Sequence, residues 1–358
     1  MRIVVWIGTQ AEMLKMTPVL KSFDLREMPY YFVHTGQHTE YSRDIIETFN
    51  LKTPDIFLTQ RNHNLKKVSE AVGWLISTAW KTRLRNLFGR NDLILVHGDT
   101  ESTLLGTMTA RLSGCRLGHL EAGLRSNNLF DPFPEEFIRR VSDRCSDYLY
   151  VPGSSAVQNA GEAGLKGEII DTRHNTIMET VALAREITPT VSVPPQPYAV
   201  LMLHRKETLY IRKNLKRALR LIRIISDGMK TVFVASDKTS DRLKRSGYWN
   251  EITANPNITV IKHQMYHDFI HLVSNSEFVA TDGGSLQEET YLLNKPCIIL
   301  RMVTERTEGL GETAVLSRFS ESVIRQFLNE YTSHRRTTNP LNCKPSNIIT
   351  DHVLSVTG

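Results

Sequence analysis

Apolar residues in this chain fall into short unbroken runs, and most runs end in a polar or glycine-containing turn. Arg2 to Gly8 (RIVVWIG) is rich in β-branched residues and does not alternate, the pattern of a strand buried on both faces. It leads through Gly8-Thr9 into a predicted helix with Met13, Leu14 and Leu20 on its inner side. Tyr30 to His34, Asp92 to His97, Arg116 to His119, Tyr148 to Val151 and Glu168 to Asp171 predict further strands, and residues 64 to 88 a long amphipathic helix. Ile187 to Pro197 (ITPTVSVPPQP) has no helical period and crowds its prolines at one end, so it reads as a linker. Beyond it the alternation restarts, with strands at Tyr198 to Leu203, Thr231 to Ala235, Ile258 to Lys262, Glu277 to Ala280 and Cys297 to Leu300. A helix around Ser320 to Tyr331 closes the pattern, and the polar stretch from Thr332 onward reads as an irregular tail.

Strands alternating with helices predict an α/β fold with parallel, doubly wound sheets. The expected organisation is an N-terminal domain over residues 1–186, a linker at 187–197, a C-terminal domain over 198–331 and a tail at 332–358. Two such domains joined by a proline-rich hinge are expected to leave a central cleft, a favoured ligand site.

Composition narrows the partners. With 358 residues, 41% of them hydrophobic and 23% charged, the chain has the make-up of a soluble two-domain protein. A net charge of +6 and a pI near 9.1 favour an anionic ligand. The basic residues are scattered, and Lys213 to Arg223 (KNLKRALRLIR) reads as the wet face of an amphipathic helix, so no nucleic-acid partner is expected. Cys115, Cys145, Cys297 and Cys343 show no zinc spacing and read as buried thiols, with no metal expected. No run approaches the roughly 18 apolar residues of a membrane span. A cytoplasmic, unanchored protein is the expectation.

The candidate chemistry concentrates between Leu95 and Arg140. Asp99 follows the apolar run LILV, Glu121 follows a run ending in His119, and Glu135 and Glu136 stand behind Pro132-Phe133-Pro134. Residues just past the carboxyl ends of parallel strands line the ligand crevice, so these carboxylates are candidates for proton transfer, flanked by His97, His119 and Arg125. Each alone also suits a helix cap. In the second half, Asp282-Gly283-Gly284-Ser285 is expected between a strand and a helix starting near Leu286. Glycines there let backbone amides approach an anion, and the helix terminus favours negative charge. Gln287, Glu288 and Glu289 are placed in the first helical turn, where acids also stabilise a helix without any function, and Glu289 is a candidate for a ribose diol. His204-Arg205 follows the strand that opens the second domain. The turn at Gly8 lacks G-x-G-x-x-G, so no bound dinucleotide cofactor is expected.

Taken in order, GTQAEMLKM (Gly8 to Met16), TGQH (Thr35 to His38), HGDTEST (His97 to Thr103), HLEAGLRS (His119 to Ser126), PFPEE (Pro132 to Glu136), HRKE (His204 to Glu207), DGGSLQEE (Asp282 to Glu289) and TERTE (Thr304 to Glu308) resemble the non-hydrolysing UDP-N-acetylglucosamine 2-epimerase family. The resemblance runs from Met1 to about Phe319 and implies two Rossmann-like domains in a GT-B-like arrangement, with UDP held mainly by the second. It also implies inversion of the sugar's C2 by elimination of UDP and its re-addition on the other face. Asp99, Glu121 and Glu135 correspond to the family's acidic catalytic residues, with the acid and base roles undivided; Lys15 matches its lysine, and His204 its histidine near the diphosphate. Gln10, Arg125, Arg205, Gly283, Gly284, Ser285, Glu289 and Arg306 are the implied substrate and UDP contacts, and Gln37, His38 and Glu136 a possible activator site. A homodimer is implied by the resemblance alone.

The chain departs from the family pattern at four places. Gln10 replaces an arginine, Ile138 an asparagine and His174 a glycine, and the D-S-G-G order has become Asp282-Gly283-Gly284-Ser285. The alternatives to a UDP-amino-sugar 2-epimerase are a hydrolysing epimerase, a glycosyltransferase using a UDP-sugar, and a nucleotide-sugar-binding protein without catalysis.

Overall fold

A computed structural model describes residues 1–36, 39–59, 73, 77–79, 82, 87–125, 134–192, 194–195, 197–304, 306–336 and 343–358. The chain divides into two compact units, Met1–Thr180 with Cys343–Gly358, and Val181–Asn342.

The first unit is built on a parallel sheet of seven strands: β1 (Arg2–Ile7), β2 (Tyr30–His34), β3 (Ile56–Phe57), β4 (Asp92–His97), β5 (Arg116–Leu120), β6 (Tyr148–Val151) and β7 (Glu168–Asp171), in the order β3-β2-β1-β4-β5-β6-β7. Every residue of β4 and all but Arg2 of β1 are buried, which is why these strands read as apolar runs without alternation. The order reverses direction between β1 and β4, and the turns leaving those two strands and β5 open on the same edge of a parallel sheet. Val4, Trp6, Ile94, Val96, Leu105 and Leu117 share one core cluster, each buried aliphatic contributing about 1.5–3 kcal/mol. Trp6 places its polar edge by donating Nε1–H to the Ser102 carbonyl at 3.0 Å. Gly8 has no room for a side chain: a Cβ there would lie 2.2 Å from Thr35 Oγ1 and 2.5 Å from Ser102 Oγ.

The second unit carries a six-stranded parallel sheet of β8 (Ala199–Met202), β9 (Thr231–Ala235), β10 (Ile258–Lys262), β11 (Val279–Thr281), β12 (Cys297–Ile299) and β13 (Ala314–Leu316), ordered β10-β9-β8-β11-β12-β13. The basic helix Arg212–Gly228 turns Leu215, Ala218, Leu221 and Ile222 onto this sheet and leaves its cations outward, as its pattern predicts. No helix among the described residues is long and apolar enough to cross a membrane.

Several details differ from the pattern reading. Strands β3 and β13, of two and three residues, are too short to give a periodic signal. Of the predicted 64–88 helix, residues 73, 77–79 and 82 are helical, 87 and 88 are not, and the remainder lies outside the described residues. Cys115 and Cys297 are buried, whereas Cys145 and Cys343 are partly exposed. The predicted irregular tail contains the helix Pro345–Thr357. Pro345 sits in its first turn, where a fixed φ and a missing N–H cost nothing, and Ile349 and Val353, four residues apart, bury one face. Ser346 donates from its amide (2.7 Å) and its hydroxyl (2.6 Å) to Glu179, and the Met1 amine donates to the Thr357 carbonyl at 2.9 Å. The predicted linker is tied down within the second unit: Asp268 accepts from the Thr190 amide and hydroxyl, both at 2.6 Å, and His271 Nε2 reaches the Ile187 carbonyl at 2.7 Å.

Candidate active site

In the first unit the candidate residues cluster on the turns after β1, β4 and β5. The helix Gln10–Leu25 begins at Thr9 with a capping box, and Glu12 is its reciprocal acid. Glu12 does more than cap. Its Oε2 accepts from the Gly8 and Thr9 amides at 2.7 and 2.8 Å, while Oε1 accepts from the Thr100 hydroxyl and, at 3.1 Å, from that of Thr103. One buried carboxylate thus joins the β1 turn to the β4 turn, and burial pushes its pKa up despite those donors. The T-x-x-E spacing of Thr9 and Glu12 is a signal for the cap that the pattern reading missed; the cross-link to Thr100 depends on the sheet order.

One turn further along the same helix, Lys15 Nζ meets Glu121 Oε1 at 2.6 Å. Asn175 Nδ2 donates to that same oxygen at 2.7 Å, and His97 Nδ1 stands 3.7 Å from Oε2. Glu121 has φ +64°, a left-handed backbone that costs a non-glycine residue about 1–3 kcal/mol and is retained where surrounding contacts enforce it. Its Oε2 also lies beside Gly98: a Cβ added there would be 3.4 Å from it. The carboxylate of Glu121 therefore borders the turn that carries Asp99. Asn175 belongs to the RHNT departure, where His174 stands in place of glycine, and both line a small cavity with His97, Glu121, Tyr150 and Thr176.

Asp99 is paired with Arg139 on the helix Glu135–Cys145. Arg139 also lies 3.4 Å from Glu136, which accepts at 2.7 Å from Arg140 Nε. The third acid, Glu135, is the first residue of that helix, one turn before Arg139, where its negative charge faces the positive end of the helix dipole. Arg139 thus joins the Asp99 turn to the Glu135 helix. Ile138, in place of the family asparagine, is buried in the core. Pro132 and Phe133 lie outside the described residues, as do Ser126, Gln37 and His38. Gln10 is partly exposed at the start of its helix.

Arg125, expected at the UDP, donates Nη1 to Asp143 Oδ2 at 2.6 Å and to the Leu124 carbonyl at 2.7 Å. Asp143 carries no other sequence signal than its place in an amphipathic helix, and its role became visible only in the fold.

In the second unit, Asp282 is wholly buried and organises the turn after β8. Its two oxygens accept from the His204 amide at 3.0 Å and the Arg205 amide at 3.1 Å. The His204 imidazole then lies over Gly283, so closely that a Cβ at 283 would stand 2.3 Å from Cε1. That approach, rather than any unusual φ, is what requires glycine there. Desolvation holds the His204 pKa below its ordinary value, with Arg205 and Arg301 adding to the effect and Asp282 opposing it; with 43% of the side chain exposed, solvent screens much of this shift.

The helix after β11 runs Gly284–Leu292, starting two residues earlier than predicted. Gln287, Glu288 and Glu289 therefore occupy its second turn and face inward, all buried, instead of decorating the first turn. The terminus itself is Gly284 and the exposed Ser285. Gln287 clamps the following loop, donating to the carbonyls of Arg306 (3.2 Å) and Glu308 (2.9 Å) and accepting from the Thr304 hydroxyl at 2.9 Å. Glu288 pairs with Arg306 at 2.9 Å. Glu289 accepts from the buried Tyr266 hydroxyl at 3.0 Å, and burial followed by the Glu289 charge pushes the phenol well above its ordinary pKa. Among the described residues, no group of three or more His, Cys, Asp and Glu is placed to hold a metal ion.

A family model for UDP-N-acetylglucosamine 2-epimerase matches residues 23–346. A UDP-N-acetylglucosamine 2-epimerase of Methanococcus maripaludis is 31% identical over 355 residues, spanning 95% of this chain and 94% of the relative. One from Bacillus subtilis is 29% identical over 357 residues, with 95% and 91% spanned. Among solved structures, the Methanocaldococcus jannaschii UDP-GlcNAc 2-epimerase in complex with UDP-GlcNAc and UDP matches with a TM-score of 0.88 at 26% identity, over 99% of this chain and 100% of that one. A family match of this extent makes the chain a member of the UDP-N-acetylglucosamine 2-epimerase family, an isomerase family with the two-sheet α/β, GT-B-like fold.

Proposed function

We infer that this chain interconverts UDP-N-acetylglucosamine and UDP-N-acetylmannosamine, or a close UDP-amino-sugar pair, by eliminating UDP and adding it back. A base removes the C2 proton, the C2–H electron pair forms a C1=C2 bond, and UDP leaves with the electron pair of the C1–O bond. The resulting 2-acetamidoglucal takes a proton at C2 on the opposite face while UDP returns to C1, so atoms and charge balance over the cycle. Two proton-transfer groups and support for the departing diphosphate are the requirements. The first unit supplies the former: Asp99, Glu121 and Glu135 on adjoining elements, with Lys15 beside Glu121. The second supplies the latter: the amides of Gly283, Gly284 and Ser285 at a helix N-terminus, with His204 over the glycine and Glu289 for the ribose. Arg205 and Arg306 add positive charge around that loop.

The single observation that carries the reading is Glu121, a buried carboxylate on a left-handed turn, gripped by Lys15 and Asn175 and bordering the Asp99 turn. A carboxylate held in that way is an arrangement for proton transfer rather than a helix cap. The reading includes a cytoplasmic homodimer, whose assembly sedimentation velocity measures.

Proton NMR of the protein with UDP-N-acetylglucosamine in heavy water tests the reaction. Deuterium at C2 with UDP still attached is the expected result. Free UDP with N-acetylmannosamine identifies a hydrolysing enzyme instead, and neither exchange nor UDP release with any 2-acetamido UDP-sugar excludes both. Asp99→Asn and Glu121→Gln are each expected to abolish exchange while UDP binding survives.

A further inference from the structure

Asp143, Arg125 and His119 form a buried group whose bonds run to the two turns that carry Asp99 and Glu121. Asp143 has a fully buried side chain and accepts three hydrogen bonds: from His119 Nδ1 at 2.8 Å, Arg125 Nη1 at 2.6 Å and the Gly123 amide at 3.3 Å. The far nitrogen of the same imidazole, Nε2, is 2.7 Å from the Gly98 carbonyl. A carbonyl only accepts, so Nε2 carries a proton and His119 spans the distance between a carboxylate and a peptide oxygen. Burial by itself raises the Asp143 pKa, but the His119 bond and the charges of His119 and Arg125 outweigh it and hold the carboxylate ionised.

The grip falls at the points that matter. Gly98, directly before Asp99, has φ +72° and is held at both its polar groups: its amide donates to the Leu120 carbonyl at 3.0 Å and its carbonyl accepts from His119. Leu120 in turn directly precedes Glu121. Gly123, two residues beyond Glu121, has φ +78° and is held by Asp143. A Cβ at Gly123 would lie 2.5 Å from the Ala156 carbonyl oxygen, so the turn is also confined on its outer side.

We propose that Asp143 and His119 are positioning residues that fix the Asp99 and Glu121 turns relative to each other, with Arg125 anchoring Asp143 rather than binding UDP. The proposal rests on the epimerase reading for its consequence in catalysis, but the holding of the Gly98 turn, read at the Gly98 amide bonded to Leu120, is measurable without it. Asparagine at position 119 reproduces the reach of Nδ1 and keeps the Asp143 contact; glutamine reproduces the reach of Nε2 and keeps the Gly98 contact.

The test compares His119→Asn with His119→Gln in the full chain, by amide hydrogen exchange at residues 98–100 and by C2 deuterium exchange kinetics. The expected result is loss of protection of the Gly98 amide by tenfold or more in His119→Asn, with protection near wild type in His119→Gln. The kinetic counterpart is kcat at least tenfold lower in His119→Asn and within about threefold of wild type in His119→Gln, with KM and the Kd for UDP little changed in both. Equal protection at Gly98 in the two variants overturns the proposal, whatever the activity. Equal kcat in the two variants of an active enzyme, or a loss of UDP affinity that accounts for the loss in rate, overturns it as well. A wild-type protein without C2 exchange refutes the epimerase reading and leaves the hydrogen-exchange comparison to decide the positioning claim. Should His119→Asn fail to fold, His119→Ser, whose hydroxyl reaches neither Asp143 nor Gly98, takes its place against His119→Gln with the same two readouts.

Discussion

Lys15 and Glu121 lie 106 positions apart in sequence, yet their charged ends meet at 2.6 Å with both side chains almost wholly shielded from water. Removing one partner of such a pair leaves the other charge buried and uncompensated, at a cost of about 3–5 kcal/mol. Lys15→Met is therefore expected to lower the melting temperature and to reduce kcat for C2 exchange by at least ~100-fold, the scale of an acid-base group. Thermal unfolding and NMR exchange on one preparation check both; unchanged kcat removes Lys15 from the site.

Much of this pair is legible in the sequence. The strand-turn-helix pattern puts Lys15 in the helix after β1 and Glu121 in the turn after β5, and the resemblance implies that both belong to one site. Their contact was not legible, because it depends on β4 alone standing between β1 and β5. The same limit hid Arg139 and Asp143, whose helical spacing carries no sign of which strand end each faces. Local rules failed in a different way at the tail, where Asn, Ser, Thr and Asp interrupt the apolar face of Pro345–Thr357 and only docking onto the first unit makes it helical. They failed again at Gln287 to Glu289, which mimic a capped first turn but sit one turn deeper.

Arg139 is the only described cation in an ion pair with Asp99. Arg139→Met should leave that carboxylate without its charge partner and lower kcat by ~10- to 100-fold, with the Kd for UDP unchanged. Arg139→Lys should recover part of the rate, since a point charge replaces the guanidinium without its fork of donors. A titration calorimetry measurement of UDP binding, run beside the kinetics, separates this from a general loss of structure.

The contact between Gly283 and His204 makes a steric prediction. Gly283→Ala places a methyl 2.3 Å from the imidazole, so the ring must leave its position. UDP affinity is expected to fall ~10-fold, about 1.4 kcal/mol, with little change in the first unit. Gly283→Ala combined with His204→Ala should relieve the clash. Added to His204→Ala, the Gly283→Ala substitution should therefore cost little further UDP affinity; a full second ~10-fold loss in the double variant shows that the imidazole is not what the methyl displaces.

His204 also predicts a pH dependence. Its folded-state pKa lies below its ordinary value near 6.5, so the unfolded chain takes up the proton first. The stability associated with this group is fully present above about pH 6.5 and is lost as the pH falls through the lower folded value. Melting temperatures from pH 7.5 to 5 should decline more steeply for the wild type than for His204→Asn. Parallel curves would show that the imidazole titrates alike in both states.

The helix Pro345–Thr357 completes the unit that begins with β1, and every residue of the second unit is synthesised between the two. Order of synthesis and order of completion are consequently reversed. The sheet bearing Asp99 and Glu121 emerges from the ribosome early, but Ile349 and Val353 cover it only after the entire second unit has been made. During translation the second unit can close first, while the first waits with an apolar strip exposed, and a chaperone that recognises such strips would meet this chain at its first unit.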